Sequence, residues 1–270
     1  MSLPEWAPEG VDVTVPNAAR VYDYGLGGYH NFAVDREFAE QLISAWPGIL
    51  QVAHTNRAYL GRVVRWLAAQ GVRQFLDIGS GIPTRGNVHE VVQAIDPDAR
   101  VVYVDVDDVA VSHGQAILAG NPHAAAIGGD LRHPAGILGH ERVRALIDFD
   151  RPVAVLLVAV LHFLSDEDDP PRLVRELTAA LVPGSYVAVS HFTAVDDLGH
   201  EHEQVTKLYD RTPTSVRTRD RRQVAGILGG LEVVEPGVVP ITSWHPDPEE
   251  PAEHEQRSVL GAVGRKPEPA

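Results

Sequence analysis

From residue 72 onward, short β-rich runs alternate with stretches of helical periodicity. The predicted strands cover residues 73–78, 101–106, 124–127, 152–160 and 186–190, and the predicted helices cover residues 87–95, 107–119, 136–147 and 170–181. The run at 152–160 is almost continuously apolar, which is typical of a central strand buried on both faces. Strands that alternate with helices of this length predict a parallel, doubly wound sheet.

The C-terminal part breaks this alternation. Thr218 can cap a helix over about 219–228, and two strand-like runs follow at 231–239 and 257–264. Only an acidic, proline-rich stretch at 246–256 separates these two runs, and its composition is typical of a solvated loop. Two strands without a helix between them predict an antiparallel pair at one edge of the sheet. The predicted fold is therefore α/β, a doubly wound, Rossmann-like, seven-stranded and mostly parallel sheet with an antiparallel last strand.

The residues before this alternation have a different pattern. Apolar residues at helical spacing predict a helix over about 54–70. The preceding run at 24–29 carries three glycines and does not suit a helix interior, because each glycine there costs about 1 kcal/mol. The segment at 22–32 is a candidate lid over a ligand, or else a packing arm. We expect residues 1–70 to form an N-terminal helical cap and residues 71–270 to form the main domain.

Composition excludes several classes of protein. The 270 residues include no cysteine, which excludes disulfides, thiol nucleophiles and cysteine-bound metals. With 23 Lys+Arg against 37 Asp+Glu the net charge is −14, whereas a general nucleic-acid binder needs a basic face. No run approaches the ~18 apolar residues of a membrane span, and no basic and then apolar leader opens the chain. We expect a cytoplasmic protein with a small-molecule substrate and neither a nucleic-acid nor a membrane partner; the sequence leaves the oligomeric state open.

The first predicted strand ends in a carboxylate that is followed by a glycine turn. Residues 75–84 have the sequence FLDIGSGIPT, with Asp77 two residues before Gly79 and four before Gly81. Glycines at such a turn let a ligand approach the backbone amides closely. A dinucleotide-binding fingerprint would place a third glycine at Thr84, so the nicotinamide interpretation is weakened. The negative charge of Asp77 disfavours a pyrophosphate and favours a ligand with an ammonium or sulfonium group.

Two further carboxylates follow the next two predicted strands. Asp105 lies 24 residues after Gly81, a spacing that suits an acid accepting hydrogen bonds from a ribose diol. Asp130 follows the third strand, where an adenine amino group can bind. Because parallel strands end at the same edge of a sheet, we expect these carboxylates and Asp77 to share one rim. Asp107 is open to two roles, contact with the ribose or adenine and capping of the helix that follows.

With these motifs the chain resembles class I S-adenosylmethionine-dependent methyltransferases, and more closely a bacterial S-adenosyl methyltransferase family long known only as a domain of unknown function. The resemblance covers nearly the whole chain and includes PNAARVYDY at 16–24, NR at 56–57, GNVHE at 86–90, VLHFL at 160–164 and GAVGRK at 261–266. It implies S-adenosylmethionine as cofactor and S-adenosylhomocysteine as product. In such enzymes the first acid and the glycine turn hold the methionine part, the second acid holds the ribose and the third contacts the adenine. The cofactor-binding residues that the resemblance implies are Asp77, Gly79, Ser80, Gly81, Asp105, Asp130 and Leu131.

Several other residues are candidates for the same site. Pro83 stands where the family pattern commonly has a glycine, so the turn has to take a somewhat different shape. Tyr22 lies in the candidate lid, and Arg57 either pairs with the cofactor carboxylate or lies on the surface. His162 and His191 follow the fourth and fifth strands, where either can act as a general base or simply line the pocket.

These observations predict direct transfer of a sulfonium methyl group to a nucleophilic O, N or C atom of a small molecule. Holding donor and acceptor in line supplies much of such catalysis without a dedicated acid or base. A catalytically silent S-adenosylmethionine-binding sensor or accessory protein and a nicotinamide-dependent oxidoreductase are the alternatives. No metal site is expected, because no spacing provides a third ligand beside His200 and His202.

Overall fold

The computed structural model of the chain describes residue 4 and residues 6–83, 86–194, 199–212, 214–247 and 257–268. Most of the acidic loop predicted at 246–256 lies outside the described residues, and so does Thr84 of the glycine turn.

Eight strands form one mixed sheet in the described part of the chain. They are β1 Gln74–Ile78, β2 Arg100–Asp105, β3 Ala124–Gly128, β4 Ala154–Val158, β5 Tyr186–Phe192, β6 Glu232–Val233, β7 Val239–Pro240 and β8 Val259–Arg265. Their order across the sheet is β3-β2-β1-β4-β5-β8-β6, and β7 also pairs with β8. The first five strands are parallel, whereas β8 is antiparallel to β5, β6 and β7. The prediction of a mostly parallel sheet with an antiparallel last strand is confirmed.

The sixth predicted strand differs in detail. Residues 231–239 form the two short strands β6 and β7 instead of one continuous strand. Pro236 has no N–H group to donate to a ladder, and Gly237 has a φ of +89°. The amide of Gly237 donates to the carbonyl of Val234, which closes a turn. The last strand also lies inside the sheet, between β5 and β6, so only the short β6 and β7 form this edge.

Ten α-helices are present in the described ranges. They are α1 Ala18–Gly25, α2 Ala33–Ala45, α3 Ile49–Ala69, α4 Val88–Gln93, α5 Asp108–Ile117, α6 Pro134–Gly139, α7 Glu141–Leu146, α8 Pro170–Ala179, α9 Gly199–Tyr209 and α10 Arg221–Ile227. None of the helices in these ranges combines the length and the hydrophobicity that a membrane span requires.

Four helices, α6, α7, α9 and α10, differ from the expectations drawn from the sequence. The helix predicted at 136–147 is divided into α6 and α7 at His140, whose extended backbone ends the first and whose ring accepts the amide of Arg142. The cap of α10 is Asp220 and not Thr218, because Asp220 and Gln223 form a reciprocal capping box. Helix α9 was not predicted.

Apolar layers cover both faces of the sheet. On one face, Leu60 and Leu67 of α3 belong to the same core cluster as Phe75 of β1. On the other face, Leu157 of β4 shares a cluster with Leu177 of α8. Burial of both faces explains the nearly continuous apolar runs of the parallel strands. Because α3 shares its core with the sheet, the division into a cap at 1–70 and a domain at 71–270 stays a prediction.

Candidate functional site

A cavity of about 490 Å³ lies at the carboxyl ends of the parallel strands. Its floor comes from the turns after β1–β4. The walls come from α1, α2, α3 and α9, from residues 214–216, and from Phe192 of β5 and Val259 of β8. Its volume falls in the range of about 300–1,000 Å³ that is typical of small-molecule sites. Open α/β sheets bind ligands at this edge.

The glycine turn after β1 forms one wall of the cavity. Gly79 has a φ of +73°, and a Cβ atom there would overlap the side chain of Val160 in the turn after β4. The amides of Gly79 and Ser80 donate to the carbonyl of Val104 at 2.8 and 3.2 Å. Glycine at position 79 is therefore required both by the backbone conformation and by the close approach of the neighbouring turn.

Asp77 is a buried carboxyl group that lines this cavity, with only 4% of its surface exposed. Burial raises the pKa of Asp77 to about 7. The Arg57 guanidinium lowers this pKa in part, and the Asp105 carboxylate raises it further. A buried carboxylate is costly unless a positive charge lies close to it. A ligand that brings an ammonium or sulfonium group to this position would stabilise the ionised form.

Asp105 and Asp130 line the same cavity as Asp77. The carboxylate of Asp105 accepts hydrogen bonds from the amides of Gly81 at 2.7 Å and Asp107 at 2.9 Å. Burial raises the pKa of Asp105, and the amides of Asp107, Gly81 and Val106 lower it. A carboxylate has about four acceptor positions, so capacity for hydroxyl donors remains. Asp130 forms an ion pair with Arg132 at 2.6 Å, which outweighs partial burial and lowers the Asp130 pKa. The structure thus brings together the three carboxylates that the sequence places at successive strand ends.

Asp107 has a different position from these three residues. Its carboxylate accepts the amides of Val109 and Ala110 at 2.9 and 3.1 Å, which makes it the N-cap of α5. It does not contribute to the cavity lining. Of the two roles left open for Asp107, the geometry places it in the capping role.

Tyr22, Arg57 and Leu131 all line the cavity. The Tyr22 hydroxyl donates to the carbonyl of Ala53 at 2.9 Å, which ties α1 to α3. Arg57 lies close enough to Asp77 to lower the pKa of that carboxyl. The far end of the 22–32 segment instead packs Phe32 against α5 and away from the cavity, so this segment is partly cavity wall and partly packing arm.

The glycine-rich turn after α1 is shaped around a buried carboxylate. Asp23 accepts the amide of His30 at 3.0 Å and the side-chain amide of Asn31 at 2.9 Å. A Cβ atom at Gly28 would overlap the Asp23 carboxylate. This turn therefore needs glycine for close approach.

The two candidate histidines have different surroundings. His162 follows β4 as predicted, whereas the prediction that His191 follows β5 is wrong, because β5 extends to Phe192 and His191 pairs with Leu260 of β8. The Nδ1 atom of His191 donates to the Phe192 carbonyl at 2.7 Å, and its Nε2 atom accepts from Arg219 at 2.9 Å. Burial lowers the pKa of His191 to about 4, and His191 does not line the cavity. His162 does line it, and burial followed by the charges of His191 and Arg219 holds the His162 pKa well below its usual range. Of the two, His162 is the histidine placed to meet a ligand.

The histidines of α9 do not form a metal site with His191. His202 bonds to the hydroxyl of Ser258 and His200 to the side chain of Gln204. Within the described ranges, no group of three or more His, Asp or Glu side chains is arranged to hold a metal ion.

A hydrogen-bond network that includes the cavity-lining residues Tyr22, Asn56 and Ala159 was not predicted. The Ser190 hydroxyl donates to Asn56 at 2.6 Å and accepts the amide of Ala159 at 2.8 Å. Asn56 also donates to the Tyr22 hydroxyl at 3.2 Å. Ala159 has a φ of +58°, a conformation that is unusual for alanine, at the turn that leads to His162. The sequence signals that could have indicated this network are Asn56 in the motif at 56–57 and a polar Ser190 in an otherwise apolar strand.

The chain is similar in sequence and in fold to several known proteins. A family model described as S-adenosyl methyltransferase matches residues 4–267. A candidate methyltransferase from Thermobifida fusca is 40% identical with a TM-score of 0.91, over 98% of this chain and 100% of that chain. A DUF574 family protein from Streptomyces avermitilis is 38% identical with a TM-score of 0.90, over 95% and 99%.

More distant structures share the fold alone. The pyocyanin biosynthetic protein PhzM is 19% identical with a TM-score of 0.50, over 81% of this chain and 57% of that chain. No curated protein matches the sequence. The family match over nearly the whole length is decisive, and the chain belongs to the S-adenosyl methyltransferase family of S-adenosylmethionine-dependent methyltransferases.

Proposed function

We propose that the chain binds S-adenosylmethionine in the polar half of the cavity and transfers its methyl group to a small molecule in the apolar half. The observation that carries this proposal is the set of three carboxylates, Asp77, Asp105 and Asp130, that line one cavity beside the glycine turn. These groups suit a cationic nucleoside with a ribose diol, and they do not suit a pyrophosphate. The family also argues against the nicotinamide alternative.

Each part of the cofactor has candidate partners in the cavity. Asp77 and the 79–81 turn would hold the ammonium side of the methionine part, and Arg57 would hold its carboxylate. Asp105 would accept the ribose hydroxyls, and Asp130 would accept the adenine amino group. When bound, the cofactor supplies a sulfonium methyl group that a nucleophile can accept directly.

The protein's own contribution is to place the acceptor and to exclude water. The walls from α1, α2, α3 and α9 cover the strand ends, so the two reactants are held together. Such positioning can supply about 7–11 kcal/mol of a two-reactant barrier. His162 lies in the cavity wall as a neutral imidazole, the form that can accept a proton from the nucleophile.

The cofactor assignment is tested by Asp105→Ala. Loss of two charge-assisted hydrogen bonds should weaken S-adenosylmethionine binding by roughly 2–4 kcal/mol in calorimetry. The matched control is Asp108→Ala, which removes an exposed carboxylate three residues away on the same segment. Equal affinities of the wild type and Asp105→Ala would refute the assignment.

Transfer is tested separately from binding. The protein is incubated with S-adenosylmethionine that carries a labelled methyl group and with a metabolite extract, and labelled products are sought. A labelled product supports transfer to a small molecule. Intact cofactor binding without any labelled product would favour the catalytically silent binding protein instead.

A further inference from the structure

The half of the cavity that lies away from the carboxylates is apolar. Helix α2 contributes Leu42 and Ile43 to it, and α9 contributes Val205 and Tyr209. The segment after α9 adds Val216 together with the uncharged polar residues Thr214 and Ser215. None of the cavity-lining side chains that the described residues of these three elements contribute is charged. This half lies over β4 and β5, because Trp46 at the end of α2 and His202 of α9 both pack on Phe192 at the end of β5.

A row of aromatic rings connects the α9 wall of the cavity with His162, the candidate general base. The ring of Tyr209 packs edge-on against Phe38 at 5.2 Å and lies 6.0 Å from Phe163. Phe163 in turn lies 4.4 Å from the ring of His162. Rings packed in this way resist displacement, so the wall has a defined shape. A molecule of ring size that contacts Tyr209 would therefore extend along Phe163 toward His162.

The charged groups of the cavity gather on its other side. Asp77 and Asp105 lie at the ends of β1 and β2, and Asp130 follows β3 and pairs with Arg132. The Asp130 carboxylate raises the pKa of the Arg132 guanidinium, and so does Asp168, which lines the cavity in the segment after β4. On this same side, burial raises the pKa of Asp77 and the positive charge of Arg57 lowers it in part. A charged acceptor seated against α2 and α9 would lose its hydration without meeting an opposite charge from these walls, which is strongly unfavourable.

We propose that this apolar half is an acceptor chamber for an uncharged, largely apolar compound of aromatic-ring size that carries a hydroxyl group. The chamber is formed by Leu42, Ile43, Leu50, Val205, Tyr209 and Val216. The assignment rests on the proposed function, because it uses the cavity half that the cofactor leaves free. The hydroxyl of the compound is directed toward His162.

The transfer is balanced with these groups alone. The acceptor oxygen forms a bond to the methyl carbon, and the carbon–sulfur bond of the sulfonium breaks with its electron pair left on sulfur. The hydroxyl proton passes to the His162 imidazole and from there to solvent. No other co-reactant is needed.

The chamber is tested with two probes of the same ring system and different charge. 2-Naphthol is uncharged at pH 7, whereas 2-naphthoate carries a carboxylate. Their dissociation constants are measured by titration calorimetry with and without saturating S-adenosylhomocysteine. Binding of 2-naphthol at least tenfold tighter than that of 2-naphthoate is expected. Equal or tighter binding of 2-naphthoate, or binding of neither probe, overturns the assignment.

Variants localise the probe. Ile43→Asp places a charge in the half-buried chamber wall and should weaken 2-naphthol binding at least tenfold. The matched control is Ser44→Asp, which adds the same charge to the exposed face of α2 and should leave binding within twofold. Leu50→Asp provides a second wall variant where Ile43→Asp does not fold.

The measurements distinguish failure of the acceptor chamber from failure of the proposed cofactor binding. All variants should bind S-adenosylhomocysteine within twofold of the wild type. Unchanged 2-naphthol affinity in both wall variants overturns the chamber and leaves the cofactor assignment intact. Absence of S-adenosylhomocysteine binding in the wild type instead refutes the proposed function, while the titrations without it still report on the chamber.

Discussion

The raised pKa of Asp77 gives the proposed cofactor site a proton linkage that can be measured. With a pKa of about 7, the carboxyl is about 90% protonated at pH 6 and about 10% protonated at pH 8. A cationic ligand that binds the ionised form has to displace that proton. Its affinity should therefore be about tenfold weaker at pH 6 than at pH 8, which corresponds to about 1.4 kcal/mol.

The assay is titration calorimetry with S-adenosylmethionine in two buffers that differ in protonation enthalpy. The wild type should release about 0.9 proton per site from Asp77 at pH 6 and about 0.1 at pH 8. The ligand's own amino group titrates equally in both proteins, so the measured quantity is the difference between the wild type and Asp77→Asn. Identical proton numbers in the two proteins, or a difference of opposite sign, would show that no cation lies at Asp77.

The same shift predicts how the ligand-free protein responds to pH. Because the folded-state pKa of Asp77 is raised, the fold binds an extra proton between about pH 4 and 7. The contribution of Asp77 to the free energy of unfolding is fully present below about pH 4. It falls by about 4 kcal/mol in total as the pH rises from there through 7. Asp77→Asn should remove this loss, so urea unfolding at pH 8 should find the ligand-free variant more stable than the wild type.

Three further substitutions test the remaining parts of the site. Gly79→Ala should destabilise the fold by about 1–3 kcal/mol in urea unfolding and abolish cofactor binding, because of its positive φ and the missing space; Gly139→Ala, where a Cβ meets nothing within 4 Å, is the control and should do neither. Asn56→Ala should cost about 1–3 kcal/mol in the same assay, since it leaves a buried hydroxyl without its acceptor, and an unchanged midpoint would contradict this. His162→Gln should lower the rate of methyl transfer with cofactor affinity within twofold, whereas His191→Gln should mainly lower the unfolding free energy; equal effects of the two on both measurements would refute the distinction.

The sheet and the polar half of the site were within reach of sequence reasoning. Strand ends of a parallel sheet share one edge, so Asp77, Asp105 and Asp130 could be brought together from their positions alone. Local patterns carried this information because each of these carboxylates belongs to a strand and to the turn that follows it.

The rest depends on contacts between distant segments. The sequence pattern predicts that His162 and His191 both follow a strand, but β5 extends through His191. Arg219, 28 residues further along, donates to the Nε2 atom of His191. The sequence is compatible with two roles for Asp107, ligand binding and helix capping. Only its hydrogen bonds to the amides of Val109 and Ala110 identify it as the N-cap of α5. The sequence of α9 does not show that Val205 and Tyr209 line a cavity, because this depends on the packing of α9 against the distant helix α2.

The insertion of β8 between β5 and β6 governs the order in which the molecule can assemble. During synthesis β1–β5 emerge first and can pair with one another, yet one side of β5 has no partner until residues 259–265 leave the ribosome. The short strands β6 and β7 pair only with β8, so they wait for the same event. The Tyr59 hydroxyl of α3 bonds to the carbonyls of both Val189 and Ala262, which links the early and the late segments of the nascent chain. The sheet and the cavity, whose lining includes Val259, therefore both need residues 259–265, and contacts between segments so far apart in sequence form slowly.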